Sequence, residues 1–183
     1  MSVEITRFRL EDFQGFWPIF KRIVSAQETV PIDPGISYDE AFEAWCLEPM
    51  YTYVARSRGR IAGSYYLTAN AAGPGSHICN CVYMVDDRLI DPGLTRLLCQ
   101  HSQQVAISEG FRAMQFNSVV ATDHASLLLW EDLGFRIIGA IPEGFRHRTQ
   151  GLVDVYIMHK SLNREALDRA NHFDWRAQSG CPA

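Results

Sequence analysis

Apolar positions along the chain alternate between a spacing of two and a spacing of three to four, and each switch marks a new element. Val3 and Ile5, with Phe8 shortly after, stand against polar neighbours and predict a strand from Val3 to Arg9. From Leu10 to Ala26, Phe13, Phe16, Trp17, Phe20 and Val24 recur at helical spacing, with Pro18 inside the run as a kink or a delayed start. Two prolines and a Gly-containing turn make the stretch from Glu28 to Gly35 a loop. Ser37 with Glu40 three residues on forms a capping box for a short helix whose apolar side is Ala41, Phe42 and Trp45, and Pro49 ends it.

Tyr51 to Ser57 and Arg60 to Thr68 read as two strands turning at Arg58-Gly59, a β-hairpin. After a turn from Asn70 to Ser76, His77 to Val85 is the next strand. A helix follows the turn holding Pro92 and Gly93; it presents Leu94, Leu97, Leu98, His101 and Val105 inward and ends at Gly110. Phe111 to Val119 is a strand with Met114 and Phe116 on one side and Gln115 and Asn117 on the other. Thr122 to Leu133 is a helix with Ser126, Leu129, Trp130 and Leu133 inward. Phe135 to Ala140 and Leu152 to His159 are closing strands separated by a loop, PEGFRHRTQG. The tail from Asn163 predicts one more short helix through Phe173, with a frayed QSGCPA end.

The order is β-α-α-β-β-β-α-β-α-β-β, which predicts an α/β fold: a mixed sheet of six to seven strands with helices on both faces. A chain of 183 residues is about one domain long, and the pattern assigns residues 1–162 to that domain and 163–183 to the tail. Seventeen basic against twenty-one acidic residues give a net charge of −4, and with no basic run a nucleic-acid partner is not expected. The N-terminus lacks an apolar run of signal-peptide length, and no stretch of about 18 apolar residues occurs, so a cytoplasmic protein without a membrane partner is expected. Five cysteines without paired CxxC spacing read as buried free thiols in a reducing compartment, and Cys79-x-Cys81 has no companion ligands for a metal.

A strand feeding a helix through the turn at Gly93 offers backbone N–H groups at a helix N-terminus, a cradle for an anion. Polar residues inside strands single out Asn80 and Asn117, which bind a substrate or satisfy neighbouring backbone groups. Glu28 in its loop is a candidate for a substrate ammonium; the aromatic stripes of the first two helices read as core, with Trp45 the member expected to reach a pocket. Arg146 and His147 either bind a carboxylate or brace their loop, and His77 is a base or a structural residue at a strand start.

Three local sequences sharpen the picture. LLLWEDLGFRIIGAIP resembles the "A-x-x-L-[YW]-x-x-x-G-F" helix-to-strand motif of the Gcn5-related N-acetyltransferase (GNAT) superfamily. SHICNCVYMV with its turn and helix resembles the central strand of that family's acetyl-CoA motif. GFRHRTQGLVDVYIMHKSL is similar to the closing segment of a subgroup that acetylates proline analogues and related small amines; Asn80 matches its "N-A-[GS]-[FY]" strand and Asn117 its "F-N-x-V" strand. The resemblance covers roughly residues 3 to 162.

It implies a GNAT-like domain whose fourth and fifth strands splay, and an acyl-CoA-dependent transfer to a small amine or amino-acid-like acceptor by direct attack on the thioester. Acetyl-CoA would be the co-substrate. Its pantetheine arm would lie along Tyr83, Met84 and Val85, and its pyrophosphate on the turn from Asp91 through Gly93 and Leu94 to Thr95, with Arg88 or Arg96 reaching it. Asp123 would cap the helix of the second motif beside Ser126. Asn117 would orient the amine or a proton-relay water, while Asn80 and the backbone of Ser118 would position the acceptor's carboxylate. The chain departs from the family at several points. Of the turn "[QR]-x-x-G-x-[GA]" it keeps only Gly93; Ile90 and Thr95 replace the outer positions, and Pro92 removes one N–H. Asp86, Asp87 and Asp91 add negative charge at the approach, and Trp130 stands where many members have a tyrosine that protonates the thiolate. These departures define the alternative: a GNAT-fold protein that has lost acetyl-CoA and serves as a binding or regulatory module, or runs another reaction in the cleft. Homodimerisation through the closing strands is compatible with either.

Overall fold

The computed structural model describes residues 3–86, 88 and 93–162. The readings placed on Asp87, Ile90, Asp91, Pro92 and the helix after Asn163 lie outside these residues. Seven strands form one sheet in the order β1-β2-β3-β4-β5-β7-β6. They are β1 (Val3–Arg7), β2 (Tyr51–Ser57), β3 (Arg60–Ala69), β4 (Ile78–Val85), β5 (Ala113–Val120), β6 (Arg136–His147) and β7 (Gly151–Ser161). The helices are α1 (Asp12–Ala26), α2 (Tyr38–Phe42), α3 (Leu94–Ser108) and α4 (His124–Asp132), and the element order is the one the apolar pattern predicts. Every neighbouring pair is antiparallel except β4–β5.

Local chemistry explains most boundaries. Arg58 and Gly59 both take positive φ, 50° and 74°, as a two-residue hairpin between twisted strands requires. Ser37 Oγ accepts from the Glu40 N–H while the Ser37 N–H donates to Glu40 Oε2, so the expected capping box opens α2, which continues as a π-helical turn, Glu43–Leu47. α1 runs through Pro18 without ending.

The helices divide between the two faces. On one, α1 and α2 press Phe13, Phe16, Phe20, Val24 and Trp45 onto Met84 of β4. On the other, α3 and α4 bury Leu94, Leu98 and Trp130 against Cys79, Cys81, Met114 and Phe116. Residues of β4 therefore alternate: Cys79, Cys81, Tyr83 and Val85 face α3 and α4, whereas Val82 and Met84 face α1.

Two expectations need correction. The inward stripe of α3 is Leu94, Leu98, Ser102 and Ala106, and Leu97 is 37% exposed. The stripe is rotated because its polar members have buried partners. Ser102 Oγ meets the Tyr83 hydroxyl at 2.7 Å, and Gln103 Oε1 accepts from Lys160 Nζ at 2.5 Å. The segment PEGFRHRTQG is also not all loop: Phe145, Arg146 and His147 pair with Val153, Leu152 and Gly151 as the end of β6. A bulge between Ile141 and Phe145 absorbs Pro142, and the Glu143 N–H, at φ 52°, donates to Asp154 Oδ1 at 3.0 Å. Only Arg148 to Gln150 make the turn.

Candidate active site

β4 and β5 pair at only two positions, Ile78 with Ala113 and Cys79 with Met114. Beyond them the strands diverge, and a register shift between Phe116 and Val119 inserts an extra residue on β5 within the diverging segment. The gap is a cavity of about 440 Å³. Its β4 wall includes Asn80, Tyr83, Met84 and Val85, and its β5 wall includes Asn117 and Ser118. Thr95 at the start of α3, Asp123 and Ser126 at the start of α4, and Trp130 line the side of α3 and α4. The loop after α1 covers part of it with Thr29 to Ile32. The cavity thus brings together nine of the residues singled out for acceptor or cofactor from sequence.

The helix starts are built differently. Asp123 caps α4, its Oδ1 accepting from the Ser126 N–H at 3.1 Å. At α3, Gly93 is the N-cap and has no side chain of its own to accept from the first turn. Leu94 itself is buried core.

The arginines expected to reach a phosphate are engaged elsewhere. Arg88 binds Asp86 with its backbone N–H, Nε and an Nη, each at 3.1 Å, and Arg96 pairs with Asp132 at 2.6 Å. Arg22 adds a 2.7 Å contact to Asp86. Asp86 is therefore no bare negative charge at the approach: two guanidiniums meet its carboxylate. Arg88, hydrogen-bonded to it, and Arg22 hold the Asp86 carboxyl below its usual range, against the opposing effect of burial. A carboxylate depressed in the folded state contributes stability above its unfolded pKa, about 3.9, and loses it as pH falls through the folded value. The urea-unfolding difference between wild type and Asp86→Asn is expected to hold steady from about pH 7 to 5 and to shrink below about pH 4. A difference that persists unchanged into that acid range would show that the carboxylate charge contributes nothing.

Four expected substrate contacts lie outside the cavity lining. Glu28 is exposed beside it. Trp45 is 1% exposed, and its Nε1–H donates to Ser64 Oγ at 2.9 Å, so it is core. Arg146 is out of step with Phe145 and falls on the opposite face of β6 from the Val120–Phe145–Val155 cluster. His147 is 8% exposed, and its Nδ1 accepts from the Thr149 and Gln150 N–H groups, so it braces the turn. His77 is exposed, lies before β4 and contacts the Pro74 carbonyl through Nδ1 at 3.1 Å. Among the described residues no group of three His, Cys, Asp or Glu could hold a metal ion. No described helix is long and apolar enough to cross a membrane.

One site residue escaped sequence reasoning. Tyr66 on β3 packs edge-on against Trp45 at 4.9 Å and lines the cavity. Burial pushes its phenol up to about 12, which keeps it a protonated donor at neutral pH. In a run of strand tyrosines nothing in sequence separates it from Tyr65, which is fully buried with its hydroxyl 2.7 Å from His101 Nδ1. The Asn117 amide is itself held: Nδ2 donates to Asn70 Oδ1 at 2.6 Å, and Oδ1 accepts from Gln115 Nε2 at 2.8 Å.

Known proteins share this architecture. No family model matches the chain. The N-acetyltransferase aca1 of Schizosaccharomyces pombe is 36% identical over 98 residues, which are 53% of this chain and 47% of that protein, so the match spans about half the length of this curated relative. A phosphinothricin acetyltransferase from Sinorhizobium meliloti, solved in complex with AcCoA, has the same fold at 17% identity, with a TM-score of 0.78 over 89% of this chain and 90% of that one. A GCN5-related N-acetyltransferase from Kribbella flavida superposes with a TM-score of 0.83 and 38% identity over 88% of this chain and 98% of its own. With that identity carried across nearly the whole of a solved relative, and with the splayed β4–β5 cleft in place, the chain belongs to the GCN5-related N-acetyltransferase family.

Proposed function

We propose that the protein transfers an acetyl group from acetyl-CoA to the amine of a small acceptor. The observation that carries this reading is the divergence of β4 from β5 after two paired positions, around a cavity that meets the start of α3 at Thr95. The residues present fit acetyl-CoA on that ground. Beyond Cys79 the edge of β4 has no ladder partner on the β5 side and can bond to an extended amide chain, as an added strand would. The first turn of α3 offers backbone N–H groups and the positive end of a helix dipole to a phosphate. When bound, acetyl-CoA supplies an activated thioester.

The side chains divide the remaining tasks. Tyr66 and Asn80 are neutral donors in a mostly apolar cleft, where a hydrogen bond to developing charge counts for more than in water. Asn117, fixed between Asn70 and Gln115, presents its amide in one orientation to the incoming amine. No His, Glu or Lys lines the cavity among the described residues, and Asp123 caps α4, so the amine's proton leaves to water through the open mouth. A reaction without a buried base should have a kcat/KM that climbs with pH until the acceptor's own amine is deprotonated.

Titration calorimetry with acetyl-CoA tests the reading, followed by thiol release with a panel of primary amines. Micromolar binding and amine-dependent thiol release are expected, and Tyr66→Phe should lower kcat about tenfold or more with little change in acetyl-CoA affinity. Absence of binding at millimolar acetyl-CoA would overturn the proposal in favour of a fold that has lost its cofactor.

A further inference from the structure

Resting on that reading, we infer that the acceptor carries a carboxylate distant from its amine, received by Arg136 and His159 on the sheet face beside the cleft. Strand register assembles this place. Gln115 pairs with His159 across β5–β7, and His159 pairs with Arg136 across β7–β6, so the three form one row on one face. The face is the one that Asn117 shares, since Gln115 and Asn117 are two apart on β5 and hydrogen-bonded to each other. The row therefore begins at Gln115, hydrogen-bonded to Asn117 of the cleft wall, and ends at a guanidinium.

Among the described residues the helices leave this part of the face open. α1 and α2 pack their apolar residues over β3 and β4, whereas the cluster on the same face of β5, β6 and β7 (Val120, Phe145 and Val155, with Val153) contains no helical residue. The charge-bearing residues of the row itself, Arg136 and His159, are both basic. Asp154, the one acid in regular ladder register on these three strands, alternates with Val153 and Val155 and so points the other way. Arg22, Arg88 and Arg96 all hold carboxylates, but no carboxylate lies within ion-pair distance of Arg136 or His159 among the described residues.

Spacing sets the ligand's shape. Two residues along β5 and two strands across the sheet separate Asn117 from Arg136, roughly 12 Å between Cα atoms. Ile157 lies between, two residues from His159 on the same face, and Gly139 pairs with it and adds no side chain. An apolar floor between an amide and a guanidinium suits a methylene chain with an amine at one end and a carboxylate at the other. An α-amino acid, whose two charges are adjacent, would leave its carboxylate in the cleft, whose described lining contains no Arg, Lys or His.

The test compares ω-amino acids of one to six methylenes with alkylamines of matched length as acceptors, read by thiol release. The ratio of kcat/KM for each acid over its matched amine is expected to rise with chain length and to pass about tenfold for the longer members, mostly through KM. Arg136→Ala should collapse that ratio toward one, Arg136→Lys should restore part of it, and His159→Gln should lower it by a smaller factor. A ratio near one at every length, or one that Arg136→Ala leaves intact, overturns the inference while acetyl transfer to amines stands. Failure to acetylate any member of either series removes both.

Discussion

Replacing Thr95 by Glu is expected to weaken acetyl-CoA binding by about a hundredfold or more while leaving the protein as stable as before. Thr95 is the second residue of α3 and lines the cleft where the helix opens on it. A carboxylate about 5 Å from a pyrophosphate charge, at an effective dielectric near 20, costs roughly 3 kcal/mol, which is two orders of magnitude in affinity. The same carboxylate is favourable to the helix, because the first turn carries the positive end of its dipole and Gly93 supplies no capping side chain. Calorimetry with acetyl-CoA should therefore record a loss that thermal unfolding does not. Unchanged affinity would place the phosphates away from α3; equal losses of affinity and stability would make the effect one of folding.

Trp45→Ala is expected to cost about 3–5 kcal/mol of stability, the largest effect of any single change considered for this chain. The indole packs on Phe16, Phe20 and Tyr66 at ring separations of 5.1, 5.7 and 4.9 Å, and its N–H is bonded to Ser64. Truncation would empty the middle of the core between α1 and β3 and release the ring that supports Tyr66. Trp45→Phe fills most of the space and should lose much less. Urea unfolding of both variants checks this. If Trp45→Ala kept wild-type stability but lost acceptor binding, the residue would belong to the pocket after all.

The contrast between those two residues shows what could be read from the sequence. Element order, the hairpin at Arg58-Gly59 and the box at Ser37 were legible because each depends on a short local pattern. So was the placement of Asn80 and Asn117 at the cleft, since alternation along β4 and β5 sends them to the face opposite Cys79, Cys81, Met114 and Phe116. Trp45 lies in the core, as its stripe predicted, but stops short of the pocket, because sequence shows an aromatic on a short helix and not the Ser64 hydroxyl that lets an indole be buried whole. The apolar stripe misplaced Leu97 because Ser102 and Gln103 are made acceptable inside by Tyr83 and Lys160, partners nineteen and fifty-seven residues away. Arg146 and His147 were taken for a loop because Pro142 looks like a strand breaker, and only the paired register shows the bulge that carries β6 past it.

The aromatic trio on the α3–α4 side has a consequence for how the cleft is dimensioned. Tyr83 stands on β4, Phe116 on β5 and Trp130 on α4, with ring centroids 5.9, 5.3 and 5.0 Å apart. Beyond Cys79 no ladder fixes the gap between the two strands, so these rings act as a wedge driven between them. The width of the opening is then a matter of ring volume, stiff because close-packed interiors compress little. A smaller or larger ring at any of the three places would reset the gauge of the whole groove while leaving Tyr66, Asn80 and Asn117 unchanged.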